Sequence, residues 1–199
     1  VALTCDAGTP AISDPGHLLV RAAWEAGIPV TPICGPSAVT AALSAAGFDA
    51  REFAFFGFLP REKKALNEKL DAVRATGVPV AVFYESPHRV VALVEAIAAR
   101  WSQCLLAVFA DLSKKFEWLL RGAPEDVLAQ LRANANVEKG EYCLAVDLSP
   151  LPAPQAPEAV AGSAVAVMAE RLYAGETLEG ASAAAKAAGF ARNEVYRAG

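Results

Sequence analysis

The stretch Asp6–Gly16 reads DAGTPAISDPG and directly follows the apolar residues Val1–Cys5. Val1–Cys5 predicts a β-strand. The glycines and prolines after it predict a tight loop that opens into a helix, because glycine permits positive φ and proline fixes φ. In open α/β sheets ligands bind just past the carboxyl ends of strands, so this loop is a candidate binding site. The chain begins inside this strand without an initiator Met, and we therefore expect a fragment of a longer protein.

Composition narrows the class of protein. The 199 residues are 54% hydrophobic, with a mean hydropathy of +0.30 and a formal net charge of −4. Apolar runs are too short for a transmembrane helix, so packed α/β layers are expected in one or two domains. The negative charge argues against holding nucleic acid by bulk charge alone. The widely spaced cysteines fit neither a zinc site nor a disulfide framework, which predicts reduced thiols in a cytosolic protein, and no metal-ligand cluster is visible.

Apolar runs alternate with segments whose apolar residues recur at three- and four-residue spacing, which predicts strands alternating with helices. The predicted strands are Val1–Cys5, Pro29–Ile33, Glu52–Phe56, Val78–Tyr84, Leu105–Phe109 and Tyr142–Val146. The predicted helices are Leu18–Ala26, Ser37–Ala46, Lys63–Thr76, Arg89–Arg100 and Pro124–Ala133. This alternation is typical of βαβ units and predicts an α/β fold with a largely parallel sheet.

Two composition shifts predict domain boundaries. The first is Gly47–Arg51, where a small-residue helix gives way to aromatic residues, and the second is the proline-rich stretch Pro150–Pro157, a stiff linker. We therefore expect an α/β domain at residues 1–50, a second at 51–150, and a linker with a helical tail at 151–199.

The tail predicts an apolar helix at Ala159–Ala174. Ser182–Gly189 followed by Arg192–Ala198 has the helix, glycine turn and helix pattern of a helix-turn-helix. Lys186, Arg192 and Arg197 make it basic. A plain packing hairpin is the alternative.

Further loops follow the predicted strands. They are CGPSA at Cys34–Ala38, FFGFLP at Phe55–Pro60, YESPHR at Tyr84–Arg89 and ADLSKKFE at Ala110–Glu117. YESPHR concentrates a phenol, a carboxylate, a hydroxyl, an imidazole and a guanidinium within six residues. If the strands are parallel, most of these loops gather at one edge of the sheet.

In this order, DAGTPAISDPG, GPSA, FFGFLP and YESPHR resemble the tetrapyrrole methylase superfamily and, within it, the ribosomal RNA small-subunit methyltransferase I family. The resemblance covers roughly Val1 to Arg197. It implies two α/β domains, the first incomplete here, plus a short C-terminal helical extension. It further implies a cytoplasmic homodimer, without membrane contact, that uses S-adenosylmethionine to methylate the ribose 2′-hydroxyl of a cytidine in 16S rRNA of the small ribosomal subunit. Without a complete first domain, we expect weak activity or none.

The resemblance also implies site residues. Those expected to line the methyl-donor pocket are Asp6, Ala7, Gly8, Thr9, Pro36, Ser37, Ala38 and Tyr84. Those expected to act in catalysis are Glu85, His88, Arg89, Lys114 and Glu117. A sulfonium donor favours acidic and aromatic surroundings. A carboxylate or imidazole can accept the ribose proton, and Arg89 and Lys114 are expected to hold flanking phosphates.

Two other functions fit the same motifs. A small-molecule methylase acting on a corrin or porphyrin would use the same donor pocket. A non-catalytic RNA-binding module would use the tail and the loop Tyr84–Arg89. An open and basic second-domain cleft favours RNA, whereas a closed and apolar one favours a tetrapyrrole.

Overall fold

The computed structural model describes residues 1–154, 163–192 and 195 of the chain. Strands and helices form a mixed α/β fold. The strands are β1 (Phe53–Phe58), β2 (Val80–Glu85), β3 (Leu105–Ala110), β4 (Trp118–Gly122) and β5 (Tyr142–Asp147). The helices are α1 (His17–Glu25), α2 (Ala38–Ala46), α3 (Lys63–Ala75), α4 (Val90–Arg100), α5 (Pro124–Ala133), α6 (Ala164–Tyr173) and α7 (Leu178–Ala187). Among the described helices, none has the length and apolarity needed to cross a membrane.

The five strands form one sheet in the order β1-β2-β5-β3-β4. β1 and β2 are parallel, whereas β5 runs antiparallel to both of its neighbours, β2 and β3, and β4 runs antiparallel to β3. The prediction of a largely parallel sheet is therefore wrong. The reason is β4, a strand that the sequence analysis did not predict. β3 and β4 form a hairpin, so β4 runs antiparallel to β3. The chain then passes through α5 to β5, which runs in the same direction as β4 and is therefore antiparallel to β2 and β3.

Two predicted strands are absent. Val1–Cys5 and Pro29–Ile33 have no strand structure, although the remaining strands and the helices up to residue 133 lie within a few residues of their predicted bounds. An extended segment becomes a strand only by pairing, and the described residues offer these two segments no partner strand. Pro29 and Pro32 also lack the N–H that a ladder requires.

The sheet is buried on both faces. Along β2, Ala81 and Phe83 pack in a cluster with α3, α4 and α5, whereas Val80 and Val82 pack in a second cluster with α2. This alternation follows from the two-residue period of a strand. The free thiols of Cys104 and Cys143 lie in these clusters, and burial raises the pKa of each to about 12.

β1 contains a register shift that matters for the site. Phe55 pairs with Val82, but Phe58 pairs with Tyr84, so β1 carries one residue more than β2 between these pairs. Gly57 accommodates the shift with a φ of 63°, a left-handed conformation that glycine adopts without a Cβ penalty. The irregularity places Phe58, instead of Gly57, beside Tyr84.

Helix α1 differs from the other helices because it has no buried residue. Its apolar side chains Leu18, Leu19 and Trp24 are 59%, 54% and 64% exposed. This helix therefore contributes little to the core.

By its contacts the chain divides into two compact units, residues 1–153 and 154–199. Residues 1–50 and 51–150 were predicted as separate domains and fall together in the first unit, so their division stays a prediction. In the second unit, Met168 of α6 packs against Ala181 and Ala185 of α7. Ser163 and Thr177 cap these helices by accepting hydrogen bonds from the N–H groups of Ala166 and Gly180.

Parts of the predicted tail lie outside the described residues, namely 155–162, 193–194 and 196–199. Helix α6 begins at Ala164, so the start predicted at Ala159 falls among them. Gly189 turns the chain with a φ of 92° after α7, as expected. The helix-turn-helix stays a prediction, because most of Arg192–Ala198, including Arg197, is not described.

The contrast between α1 and α3 predicts unequal effects of the same substitution. Leu70 is fully buried in α3, so Leu70→Ala should lower the free energy of unfolding by about 2–5 kcal/mol. Leu19→Ala in α1 should change it by less than about 0.5 kcal/mol. Urea unfolding of this chain measures both. Equal losses would mean that α1 packs on the core.

Candidate active site

The loops after β1, β2 and β3 lie at the same edge of the sheet, because these strands point in the same direction. FFGFLP and YESPHR follow the adjacent strands β1 and β2, whereas β5 lies between them and the segment around Lys114. The expected gathering of these three loops at one edge is confirmed. The loop after β3 is the hairpin that leads to β4. Its Asp111 N–H donates a hydrogen bond of 2.9 Å to the carbonyl oxygen of Glu141, the residue before β5.

Glu85 is the last residue of β2 and is only 2% exposed. Its Oε1 accepts a hydrogen bond of 2.7 Å from Ser86 N–H. Its Oε2 has no aligned hydrogen bond in the described part of the chain but lies 3.1 Å from Arg89 Nη2, an ion-pair contact. Burial raises the pKa of Glu85, against the lowering effects of the Ser86 N–H and of the positive charges on Arg89 and Arg61.

Arg89 fastens one loop to the other. Its Nη2 also donates to the carbonyl oxygens of Leu59 and Pro60, both at 2.9 Å. Charge-assisted bonds of this kind are among the stronger contacts in a protein. The phosphate contact expected of Arg89 stays a prediction, and these bonds give the side chain a positioning role within the protein.

Tyr84 connects the sheet to the loop before α2. Its ring meets Phe55 and Phe58 edge-on, with centroids 4.7 and 5.8 Å apart. Burial raises the pKa of the Tyr84 hydroxyl, and the hydrogen bond from the backbone N–H of Val39 opposes that rise. The start of α2 therefore lies against Tyr84.

The two N-terminal loops also meet. Thr9 Oγ1 donates to Pro36 O at 3.0 Å, and an added Cβ on Gly8 would lie 3.9 Å from the same oxygen. Ser37 precedes α2 in an extended conformation, and its side chain forms no capping hydrogen bond. Its hydroxyl is therefore not used by the helix. Asp6 and Ala7 are exposed and Ala38 is half-buried at the start of α2.

The contacts above link Gly8, Thr9, Pro36 and Tyr84 through α2. Ala11 and Ser13 in the same loop have φ values of 67° and 58°, which is uncommon for residues other than glycine. Backbone strain of this type clusters at binding sites.

Lys114 and Glu117 are engaged within the hairpin. Lys114 Nζ lies 2.8 Å from Glu141 and 3.1 Å from Asp111, and these contacts, with Glu141 first, raise its pKa. Glu117 Oε2 accepts from Ser113 N–H at 2.5 Å. Two carboxylates match the charge of Lys114, which weakens the case for a phosphate clamp. His88 is exposed on the YESPHR loop, free to meet a ligand.

A groove opens between the FFGFLP and YESPHR loops, with a volume of about 800 Å³. We call it the basic groove. Its walls are formed by Phe56, Phe58, Leu59, Pro60, Arg61, Lys69, Ser86 and Arg89.

Six of the eight residues in these walls belong to the FFGFLP and YESPHR loops predicted as candidate sites, whereas Arg61 and Lys69 do not. The sequence analysis assigned no role to either of these two cations. The available signal was an aromatic run followed directly by a basic one, FFGFLPREKK at Phe55–Lys64. Lys69 follows on α3, one and a half turns further along the chain, so only the fold brings it to Phe56.

Residues 1–127 match the family of Tetrapyrrole (Corrin/Porphyrin) Methylases. Over 147 residues the chain is 43% identical to ribosomal RNA small subunit methyltransferase I of Xylella fastidiosa, a match that covers 73% of this chain and 54% of that protein. It is 35% identical to the Haemophilus influenzae protein of the same name over 203 residues, covering 100% of this chain and 70% of that protein.

The chain spans about half the length of most of the curated relatives it matches. Among solved structures, the methyltransferase CobJ is similar with a TM-score of 0.50 and 16% identity, over 70% of this chain and 61% of that chain. That likeness supports the fold.

The raised pKa of Glu85 predicts a pH dependence of stability. The folded protein holds the Glu85 proton more tightly than the unfolded chain does, so the favourable contribution is present below the ordinary pKa of 4.5 and is lost as pH rises through the folded pKa. Relative to Glu85→Gln, the wild type should therefore lose stability as pH rises across this window. Urea unfolding at successive pH values measures the difference, with Glu138→Gln at an exposed position as the control. A difference that grows in favour of the wild type would mean that the contact with Arg89 outweighs burial.

Proposed function

Because the chain belongs to the tetrapyrrole (corrin/porphyrin) methylase family, we propose that the protein containing it transfers a methyl group from S-adenosylmethionine to small-subunit ribosomal RNA. The acceptor we propose is the ribose 2′-hydroxyl of a cytidine in 16S rRNA. The observation that carries the proposal is the extent of similarity to the Haemophilus influenzae enzyme. That similarity covers 100% of this chain, whereas the family match ends at residue 127. The residues that match the Haemophilus influenzae protein beyond residue 127 include the C-terminal unit.

The residues assigned to the methyl donor fit such a ligand. Gly8 and Pro36 approach each other by their backbones, the Ser37 hydroxyl is not used for capping, and the Tyr84 ring is half-buried beside α2. When bound, S-adenosylmethionine supplies an electrophilic methyl group carried on a sulfonium. Tyr84 offers the π face that attracts such a cation, and Asp6 offers a carboxylate on the same loop as Gly8.

The proton of the ribose hydroxyl requires an acceptor on the protein. Glu85 is buried and already in contact with Ser86 N–H and Arg89. His88 is exposed on the same loop, so its imidazole is the group that a substrate can reach. We assign the acceptor role to His88 and a positioning role to Glu85.

The basic groove supports RNA over a tetrapyrrole as the acceptor. It is open, and it carries the cationic side chains of Arg61, Lys69 and Arg89 beside aromatic ones. Aromatic and cationic side chains along a groove are the usual features of single-stranded nucleic acid binding. A ribosomal substrate also supports a cytoplasmic location, which is part of this proposal. The homodimer implied by the resemblance is part of this proposal.

The proposed activity can be tested with the full-length protein, labelled S-adenosylmethionine and assembled small ribosomal subunits. We expect label in 16S rRNA, recovered after nuclease digestion as 2′-O-methylcytidine. Tyr84→Ala should weaken donor binding by roughly five- to tenfold in calorimetric titration, because a cation–π contact contributes about 1 kcal/mol. Tyr173→Ala, at a tyrosine that is 97% exposed, is the matched control.

Two results would contradict the proposal. Transfer of label to a tetrapyrrole with none in RNA would assign the protein to the corrin and porphyrin branch. RNA binding without any heat from S-adenosylmethionine would indicate a non-catalytic binding protein.

A further inference from the structure

We propose that the basic groove binds an unpaired stretch of the substrate RNA, with one base stacked on Phe58 and the adjoining phosphates at Arg61 and Lys69. This inference rests on the proposed function and deepens it, because it assigns the acceptor side of the site to Phe58 and to two cations, Arg61 and Lys69, that had no assigned role.

The cations of the groove are available to a ligand. None of the ion pairs among the described residues involves Arg61 or Lys69. Lys69 Nζ lies 5.5 Å from the centroid of the Phe56 ring, a cation–π contact between two residues of the groove walls. Both side chains belong to exposed residues.

The neighbouring carboxylates are occupied elsewhere. Glu62 caps α3 by accepting from the N–H groups of Lys64 at 3.0 Å and Ala65 at 2.8 Å. Glu68 faces Lys64 at 3.9 Å, and Glu85 is buried beneath Arg89. The residues that line the groove include three cations and no carboxylate, although the chain as a whole carries a formal charge of −4.

Phe58 is suited to stack on a base. It is 56% exposed at the end of β1, and its contact with Tyr84 is edge-on at 62°, so that contact does not cover its faces by parallel stacking. A base must leave its duplex to reach such a ring, which is why aromatic platforms select unpaired nucleic acid. The groove volume of about 800 Å³ lies within the range that accommodates a nucleotide-sized ligand.

Phe58 also connects the groove to the donor residues. Its ring centroid is 5.8 Å from that of Tyr84, and the Tyr84 hydroxyl faces the backbone of Val39 at the start of α2. A nucleotide stacked on Phe58 therefore lies beside the loops assigned to S-adenosylmethionine. The register shift at Gly57 creates this adjacency, because it brings Phe58 level with Tyr84.

The experiment measures binding of a fluorescently labelled single-stranded 16S rRNA fragment, and of the same sequence in a duplex, to the full-length protein. Phe58→Ala should weaken single-strand binding by roughly 5- to 100-fold, the usual range for one stacked base. Phe58→Tyr should retain binding, and Phe58→Leu, which keeps apolar volume but lacks the ring, should behave like Phe58→Ala. Phe53→Ala is the matched control, because Phe53 is 42% exposed at the opposite end of β1 from Phe58.

The charge contribution is tested by salt dependence. In the double variant Arg61→Ala/Lys69→Ala the slope of log affinity against log salt should fall by about 1.4, because each phosphate contact contributes about 0.7 for single strands. Lys139→Ala, at an exposed lysine that does not line the groove, should leave the slope unchanged. The double variant should also retain the wild-type affinity for S-adenosylmethionine in calorimetric titration.

The outcomes separate this inference from the proposed function. If the wild type methylates 16S rRNA and the groove variants bind single-stranded RNA and methylate it as well as the wild type, the groove assignment is wrong and the function stands. A wild type that neither binds S-adenosylmethionine nor methylates RNA overturns the proposed function. If the groove variants lose affinity for a polycarboxylate porphyrin but keep their affinity for RNA, the groove binds a tetrapyrrole and the inference is wrong. Equal losses for single strand and duplex would exclude the stacking of an unpaired base.

Discussion

The contact between Glu85 and Arg89 is the interaction on which the site depends. A carboxylate at the buried end of β2 is costly to ionise, and the residue that offsets this cost comes one helical turn later. The same guanidinium reaches the carbonyl oxygens of Leu59 and Pro60. Arg89, held by Glu85, therefore sets the distance between the YESPHR and FFGFLP loops, which are about 30 residues apart in the chain. The basic groove lies between these two loops.

Local patterns predicted the helices of the first unit well, because their apolar spacing and their flanking prolines and glycines act over a few residues. The sheet was harder to predict, because its order and direction depend on pairing between distant segments. Trp118–Gly122 alternates between half-buried and exposed residues as an edge strand does, yet its short length and the charged loop before it hid the signal. Missing that strand reversed the expected direction of Tyr142–Asp147. Val1–Cys5 shows the opposite error, since an apolar run alone does not make a strand.

The motifs located the candidate site more accurately than they assigned roles. Tyr84, Glu85 and Arg89 do lie together at the sheet edge, but burial and pairing differ among them in ways that residue type cannot reveal. Lys114 is expected from the sequence to hold a phosphate, but its charge is matched within the protein by Asp111 and by Glu141, which lies 27 residues further along the chain. Lys69 showed the converse, since only the packing of α3 beside β1 brings it over Phe56.

Arg89 grips main-chain oxygens, which every amino acid possesses, and this has an evolutionary consequence. Side chains at positions 59 and 60 can be exchanged without removing the acceptors, apart from steric effects. Selection can therefore tune the neighbouring Phe58 and Arg61 toward a different nucleotide context while the clamp between the loops persists. Arg89 must be kept for the two loops to stay joined, whereas the side chains at positions 58 and 61 can change without breaking these hydrogen bonds.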